Sequence, residues 1–212
     1  MSSHLGVIWA LDDPGRLGKP TALMDGGNAS FLAKVTSSLR DGGCDGIVLV
    51  DRKGGGLVQA AATAAGVHTI TAQPEKGIFP TLREATRVFQ PEPMDQESFL
   101  VLHPVNRPLV EAVTITELIL HFRDGGEERT VLRPSFQEEG GFPVLLRADA
   151  LEQDPSSDAL TSLESLPGFY EEEGQTIARV EVADSGVVTA IDSLATYRRH
   201  FPQSYRKRFQ KW

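Results

Sequence analysis

Apolar positions in this chain fall into two alternating patterns. Short unbroken runs occur at Val7-Ile8-Trp9-Ala10, Ile47-Val48-Leu49-Val50 and Phe99-Leu100-Val101-Leu102, with a related stretch at Val67-His68-Thr69-Ile70. Such runs predict strands of a parallel sheet that is covered on both faces. Between them the spacing changes to three and four. Phe31, Leu32, Val35 and Leu39 predict one helix, an alanine-rich stretch opened by Gly54-Gly55-Gly56 and running through Ala65 a second, and Ile115, Leu118, Ile119 and Phe122 another. Gly42-Gly43 and Asp124-Gly125-Gly126 supply stops, while Gly26-Gly27-Asn28 reads as a turn that caps the first helix. Strands alternating with helices predict a doubly wound α/β sheet with right-handed crossovers.

The second half keeps this alternation in weaker form. Thr130-Val131-Leu132-Arg133-Pro134 and residues 140–146 read as strands, and Leu160, Leu163 and Leu166 as one face of a helix. Residues 177–182 alternate like a strand with one exposed face. Glu171-Glu172-Glu173-Gly174 reads as a solvated turn.

Composition narrows the function classes. A length of 212 residues favours one large α/β domain over two small ones. A net charge of −8 works against nucleic-acid binding by the body, because that affinity comes mainly from neutralising phosphates, and no DNA partner is expected. The single cysteine, Cys44, excludes an intrachain disulfide and suits a reducing compartment. Met1-Ser2-Ser3-His4 lacks the basic start and apolar core of a signal peptide, and no apolar run reaches spanning length. A cytoplasmic location and no membrane partner are expected.

Charge is unevenly distributed. Residues 198–212 contain no Asp or Glu but include Arg198, Arg199, Arg206, Lys207, Arg208 and Lys211. Tyr197, Phe201, Tyr205, Phe209 and Trp212 recur three or four apart, along one side of a helix that Pro202 breaks or restarts. Two arrangements satisfy this pattern. The tail packs back onto the acidic body, or it is a docking arm whose Phe201, Tyr205, Arg206, Phe209 and Trp212 meet a protein partner. The chain is accordingly divided into a domain of residues 1–197 and a tail of residues 198–212.

Ligands in open α/β sheets settle at the carboxyl ends of the strands, so the loops there hold the candidate chemistry. The first runs Ala10-Leu11-Asp12-Asp13-Pro14-Gly15-Arg16-Leu17-Gly18-Lys19-Pro20-Thr21-Ala22-Leu23, and a later one His103-Pro104-Val105-Asn106-Arg107-Pro108-Leu109-Val110. With Gly77, Thr81 and Leu82, Gly141-Phe142-Pro143, and Asp192-Ser193 followed by Tyr197, the order and spacing resemble the MobA-like nucleotidyltransferases. The resemblance implies a three-layer α/β/α sandwich, Rossmann-like, with a mixed and mostly parallel sheet. It also implies transfer of a nucleotide from a nucleoside triphosphate to a small phosphorylated acceptor such as a molybdopterin-type cofactor. On that likeness Ala10, Leu11, Gly15, Gly18, Lys19, Gly77 and Thr81 would meet the nucleotide, and Arg16 and Asn106 would occupy catalytic positions.

Five departures bear on the chemistry. Asp12 stands where the family pattern has glycine, Thr21 where it has lysine, Asn106 where it has the magnesium-binding aspartate, Phe142 where it has histidine, and Ala190 where aspartate is frequent. A carboxylate in a phosphate cradle repels its ligand, since unit charges about 4 Å apart interact by roughly 4 kcal/mol at an effective dielectric near 20. An amide offers a hard cation an oxygen but no negative charge. Two readings follow. One is a binding or assembly subunit with impaired or lost catalysis and no cofactor. The other is an active, magnesium-dependent transferase in which Asp12 and Asp192 hold the metal while Arg16 and Lys19 hold phosphates. Whether a nucleotide binds at all is left open between them.

Smaller signals carry alternatives of their own. Asp192 also reads as a helix cap. Gly54-Gly55-Gly56 reads as an anion cradle or a surface turn, Arg83 as a phosphate contact or an exposed helical arginine, and His103 with Arg107 as an anion site or ordinary loop residues.

Overall fold

Strand β1 (His4–Trp9) is buried along its whole length, as an unbroken apolar run requires. It pairs in parallel with β2 (Gly46–Asp51) on one side and with β4 (Phe99–Pro104) on the other. β3 (His68–Thr71) extends the parallel set beyond β2. This computed structural model describes residues 3–11, 17–52, 56–89, 98–125, 129–151, 160, 162–175 and 177–209.

Three helices cross between the parallel strands. α1 (Phe31–Asp41) buries Phe31, Leu32, Val35 and Leu39. Its N-cap is Ser30, whose hydroxyl accepts from the Ala33 N–H at 3.2 Å. The expected cap at Asn28 is therefore two residues early, because the intervening turn closes by pairing Asp25 with Ser30. α2 (Gly56–Ala64) matches the alanine-rich stretch, and of the triple glycine only Gly56 lies within the described residues. α3 (Ile78–Phe89) buries Ile78, Phe79, Leu82 and Ala85 on the opposite face of the sheet.

Beyond β4 the sheet becomes mixed. α4 (Ala112–Asp124) leads to β5 (Val131–Phe136), the short β6 (Glu139–Gly140) and β7 (Val144–Arg147). β7 lies antiparallel between β4 and β5, and β8 (Ile177–Glu181) runs parallel to β5. The strand order is β3-β2-β1-β4-β7-β5-β6, with β8 on β5. The chain is thus a three-layer α/β/α fold with a mixed, mostly parallel sheet. Leu163 starts a single tight turn before α5 (Leu166–Glu172), so Glu171 and Glu172 close a helix rather than belong to the turn expected there. Cys44 is buried, which pushes its thiol up to about 12.

Two helices end the described chain, α6 (Leu194–His200) and α7 (Pro202–Phe209). Pro202 opens α7 where a missing N–H costs nothing. α6 runs through the boundary placed after Tyr197. The tail's aromatic side faces the body, the first of the two arrangements its pattern allows. Tyr197 is fully buried and its hydroxyl donates to the Asp25 carbonyl at 2.8 Å. Phe201 is 8% exposed and lies 5.2 Å, ring to ring, from Phe31. Tyr205 packs beside them, 6.3 Å from Tyr197. Phe201, one of the residues expected to meet a partner, thus packs in the core. Arg206 is exposed, Phe209 is 37% exposed, and Trp212 lies outside the described residues. No helix among the described residues is long and apolar enough to cross a membrane.

Truncating a buried phenylalanine removes both transfer free energy and packing contacts. Phe201→Ala should lower unfolding stability by about 3–5 kcal/mol in urea titrations. Arg206→Ala should stay within about 0.5 kcal/mol of the parent.

Candidate functional site

The carboxyl ends of β1, β2 and β4 are stitched into one edge. The Ala10 N–H donates to the Val50 carbonyl at 2.9 Å, and the Val105 N–H to the Trp9 carbonyl at 2.9 Å. Ala10 and Leu11 thus leave β1 beside the turn that leaves β4. Asp12, Gly15 and Arg16 lie outside the described residues, and the loop is described again from Leu17. Gly18 adopts φ +68°, a left-handed conformation open to glycine at little cost. Lys19 follows, half-buried. Burial is the main cause that lowers its pKa, the Arg208 charge adds to it, and Asp25 opposes both. Thr21, at the lysine position of the family pattern, is buried.

At the exit of β4, Asn106 is held by its backbone. Its carbonyl accepts the Ile191 N–H at 2.7 Å. Its side-chain Oδ1 is buried without a hydrogen-bond partner among the described residues. Asp192 is the residue after Ile191 on this segment and is exposed. The α6 cap is Ser193, which forms a reciprocal capping box with Thr196, so the cap expected of Asp192 is corrected by one residue. Among the described residues no group of three or more His, Cys, Asp or Glu is placed to hold a metal. One amide oxygen and one carboxylate fit magnesium only when nucleotide phosphates and water complete its shell.

Arg107 is turned inward. Its Nη1 donates to the Val187 carbonyl at 2.8 Å, and its guanidinium lies 5.2 Å from the Phe142 ring centroid. Burial is the largest influence, lowering its pKa, and the carboxylates of Glu164 and Glu139 oppose it. Phe142 is therefore an electrostatic platform as well as an apolar replacement. The segment that receives Arg107 is fixed by Asp184. Asp184 Oδ2 accepts the Glu111 N–H and the Thr114 hydroxyl, both at 2.9 Å, and Oδ1 accepts the Gly186 N–H at 2.7 Å. Gly186 allows this approach, since a Cβ there would lie 2.5 Å from the Leu109 carbonyl oxygen.

The α3 end of the site faces inward more than its pattern implied. Gly77 adopts φ +75° and is buried. The Thr81 hydroxyl is buried and accepts the Gln73 N–H at 3.4 Å, and the Ile78 N–H donates to the Leu160 carbonyl at 3.0 Å. Arg83 reaches the Leu151 carbonyl at 3.0 Å. Thr81, expected to meet the nucleotide, thus has its hydroxyl turned to the Gln73 backbone. Two groups escaped the sequence reading. Asp51, at the end of β2, is 5% exposed and its pKa is raised mainly by burial, while Arg52 bonds the Leu11 carbonyl. Arg208 of α7 reaches the first loop, with Nη2 3.1 Å from the Leu17 carbonyl oxygen. The Asp51 signal was a carboxylate ending a buried strand; Arg208 had none, being 191 residues from its partner.

Comparison with known proteins places this geometry. The family model for the MobA-like NTP transferase domain matches residues 6–176. A search of curated protein sequences finds no match. A nucleotidyl transferase from Methanothermobacter thermautotroptrophicus superposes with a TM-score of 0.74 at 17% identity, over 98% of this chain and 100% of that one. Rv0371C from Mycobacterium tuberculosis, in a complex with manganese, gives 0.72 at 18% identity, over 95% and 100%. A CMP:2-keto-3-deoxy-manno-octonic acid synthetase complexed with CTP gives 0.70 at 16%, over 93% and 96%. At these identities the structural likeness speaks for the fold.

His103 gives the site edge a pH signature. It sits in β4 opposite Ile8, fully buried, with Nδ1 2.9 Å from the Pro104 carbonyl oxygen and Nε2 without a partner among the described residues. Burial is the main cause that pushes its pKa down to about 4 from 6.5. The unfolded chain then binds the extra proton first, so the stability this histidine contributes is complete above about pH 6.5 and is lost as pH falls toward 4. The swing is on the order of 3 kcal/mol. Urea unfolding at pH 7 and pH 4.5 should show a clearly smaller stability loss for His103→Gln than for the parent chain.

Proposed function

The chain belongs to the MobA-like NTP transferase family, and on that premise we propose that it binds a nucleoside triphosphate at the carboxyl ends of β1 and β4 while its transfer step is impaired. The observation that carries this reading is Asn106. Its amide oxygen has no hydrogen-bond partner among the described residues at the exit of β4, where the family pattern has a metal-binding aspartate. A divalent ion bound there would neutralise charge that develops on the transferred phosphate. An uncharged ligand holds that ion weakly, and the chemistry suffers more than ground-state binding. Phosphate charge is met instead by cationic side chains, with Lys19 on the first loop. Gly18, exposed on the same loop, offers its backbone to the nucleotide.

A second reading has one observation in its favour. The Ile191 N–H bonds to the Asn106 carbonyl, and Asp192, the residue after Ile191, would supply the missing charge. The protein would then transfer a nucleotide to a small phosphorylated acceptor, the molybdopterin type among them, in a magnesium-dependent reaction.

Pyrophosphate release from ATP, CTP and GTP, in magnesium with a phosphorylated acceptor, separates the two. Under the first reading the parent chain stays near background and Asn106→Asp raises the rate about tenfold or more. Turnover by the parent at an ordinary enzymatic rate, about 1 s⁻¹ or above, abolished by Asp192→Asn and not improved by Asn106→Asp, would establish the second.

A further inference from the structure

Helix α7 comes from the far end of the chain and lies against the first loop. Its Arg208 places Nη2 3.1 Å from the Leu17 carbonyl oxygen and Nη1 2.9 Å from Met24 Sδ. The contact brackets Gly18, where an added Cβ would lie 3.7 Å from the same Nη2. Lys19 is the next residue, and the two cations are close enough for the Arg208 charge to depress the Lys19 pKa. Asp25 is the carboxylate that faces them, and its Oδ1 already accepts the Gly27 N–H at 2.9 Å. Among the described residues, two positive groups thus face one carboxylate at this partly buried contact. Like charges held together in this way repel unless an anion sits between them.

Donor capacity points the same way. A guanidinium carries five N–H donors in a planar fork suited to phosphate. The two contacts described engage part of that capacity, and neither acceptor is charged. We propose that Arg208, brought in by α7, is a polyphosphate-binding residue of the nucleotide site, acting with Lys19 to supply the positive charge that Thr21 does not. This inference rests on the nucleotide-binding reading of the same edge. It also assigns the basic tail a role inside its own chain, because α6 and α7 are anchored by Tyr197 and Phe201 in the position that delivers Arg208.

Isothermal titration of the full chain with inorganic tripolyphosphate, a nucleoside triphosphate and the matching monophosphate tests it, using the parent, R208Q and R208K. The expected result is that R208Q loses about tenfold or more in affinity for both triphosphates. Monophosphate affinity should stay unchanged and R208K should recover part of the loss. Urea unfolding of each unliganded variant reports whether the loop contact alone is at stake. If R208Q binds triphosphates like the parent, the proposal fails and the nucleotide site survives. If triphosphate and monophosphate affinity fall together with stability, Arg208 only braces the loop and the proposal also fails. If the parent binds none of the three ligands, the underlying nucleotide reading falls with it.

Discussion

Every functional feature here depends on the parallel pairing of β1 between β2 and β4. Three buried strands end at the same level, and two backbone hydrogen bonds, from Ala10 to Val50 and from Val105 to Trp9, lock the loops that leave them. A parallel ladder puts all carboxyl ends on one edge, which is why loops far apart in sequence share a site. A register slip of one residue would turn Leu5, Val7 and Trp9 away from one core and into the other. The near-complete burial of these strands makes such a slip costly, and the edge is correspondingly well defined.

The edge is finished by the end of the chain. Tyr197 bonds the Asp25 carbonyl, Phe201 stacks near Phe31, and α7 continues to the first loop. An acidic protein with a basic, aromatic tail has an internal use for that tail. Apolar contacts anchor the helices, and Arg208 of the second helix then reaches the first loop. The same economy is visible at Asp184, whose two oxygens tie the start of α4 to the segment that receives Arg107.

Much of the frame was legible in the residue pattern. The apolar runs at 47–50 and 99–102 and the helical spacing of Phe31 to Leu39 each report a local burial requirement, and each became the expected element. The family resemblance added the antiparallel member of the sheet, which spacing alone does not encode. Contacts between distant residues were not legible. Nothing near Arg208 indicates Leu17, and nothing near Thr81 indicates Gln73. The direction of the tail's aromatic face was open because amphipathic spacing specifies a buried side without naming what covers it. At Asn28 and Asp192 the residue type suited a cap, but a serine nearby, Ser30 and Ser193, held the geometry. Polar residues near a helix start compete for one position, and only the path of the chain decides.

The central claim is that side-chain cations, more than a metal, hold the phosphates at this edge. Calorimetric titration of a nucleoside triphosphate into the parent protein, once in EDTA and once in magnesium, addresses it most directly. The account predicts measurable binding in EDTA and a change of less than about tenfold on adding magnesium. No binding in EDTA, with tight binding restored by magnesium, would contradict it.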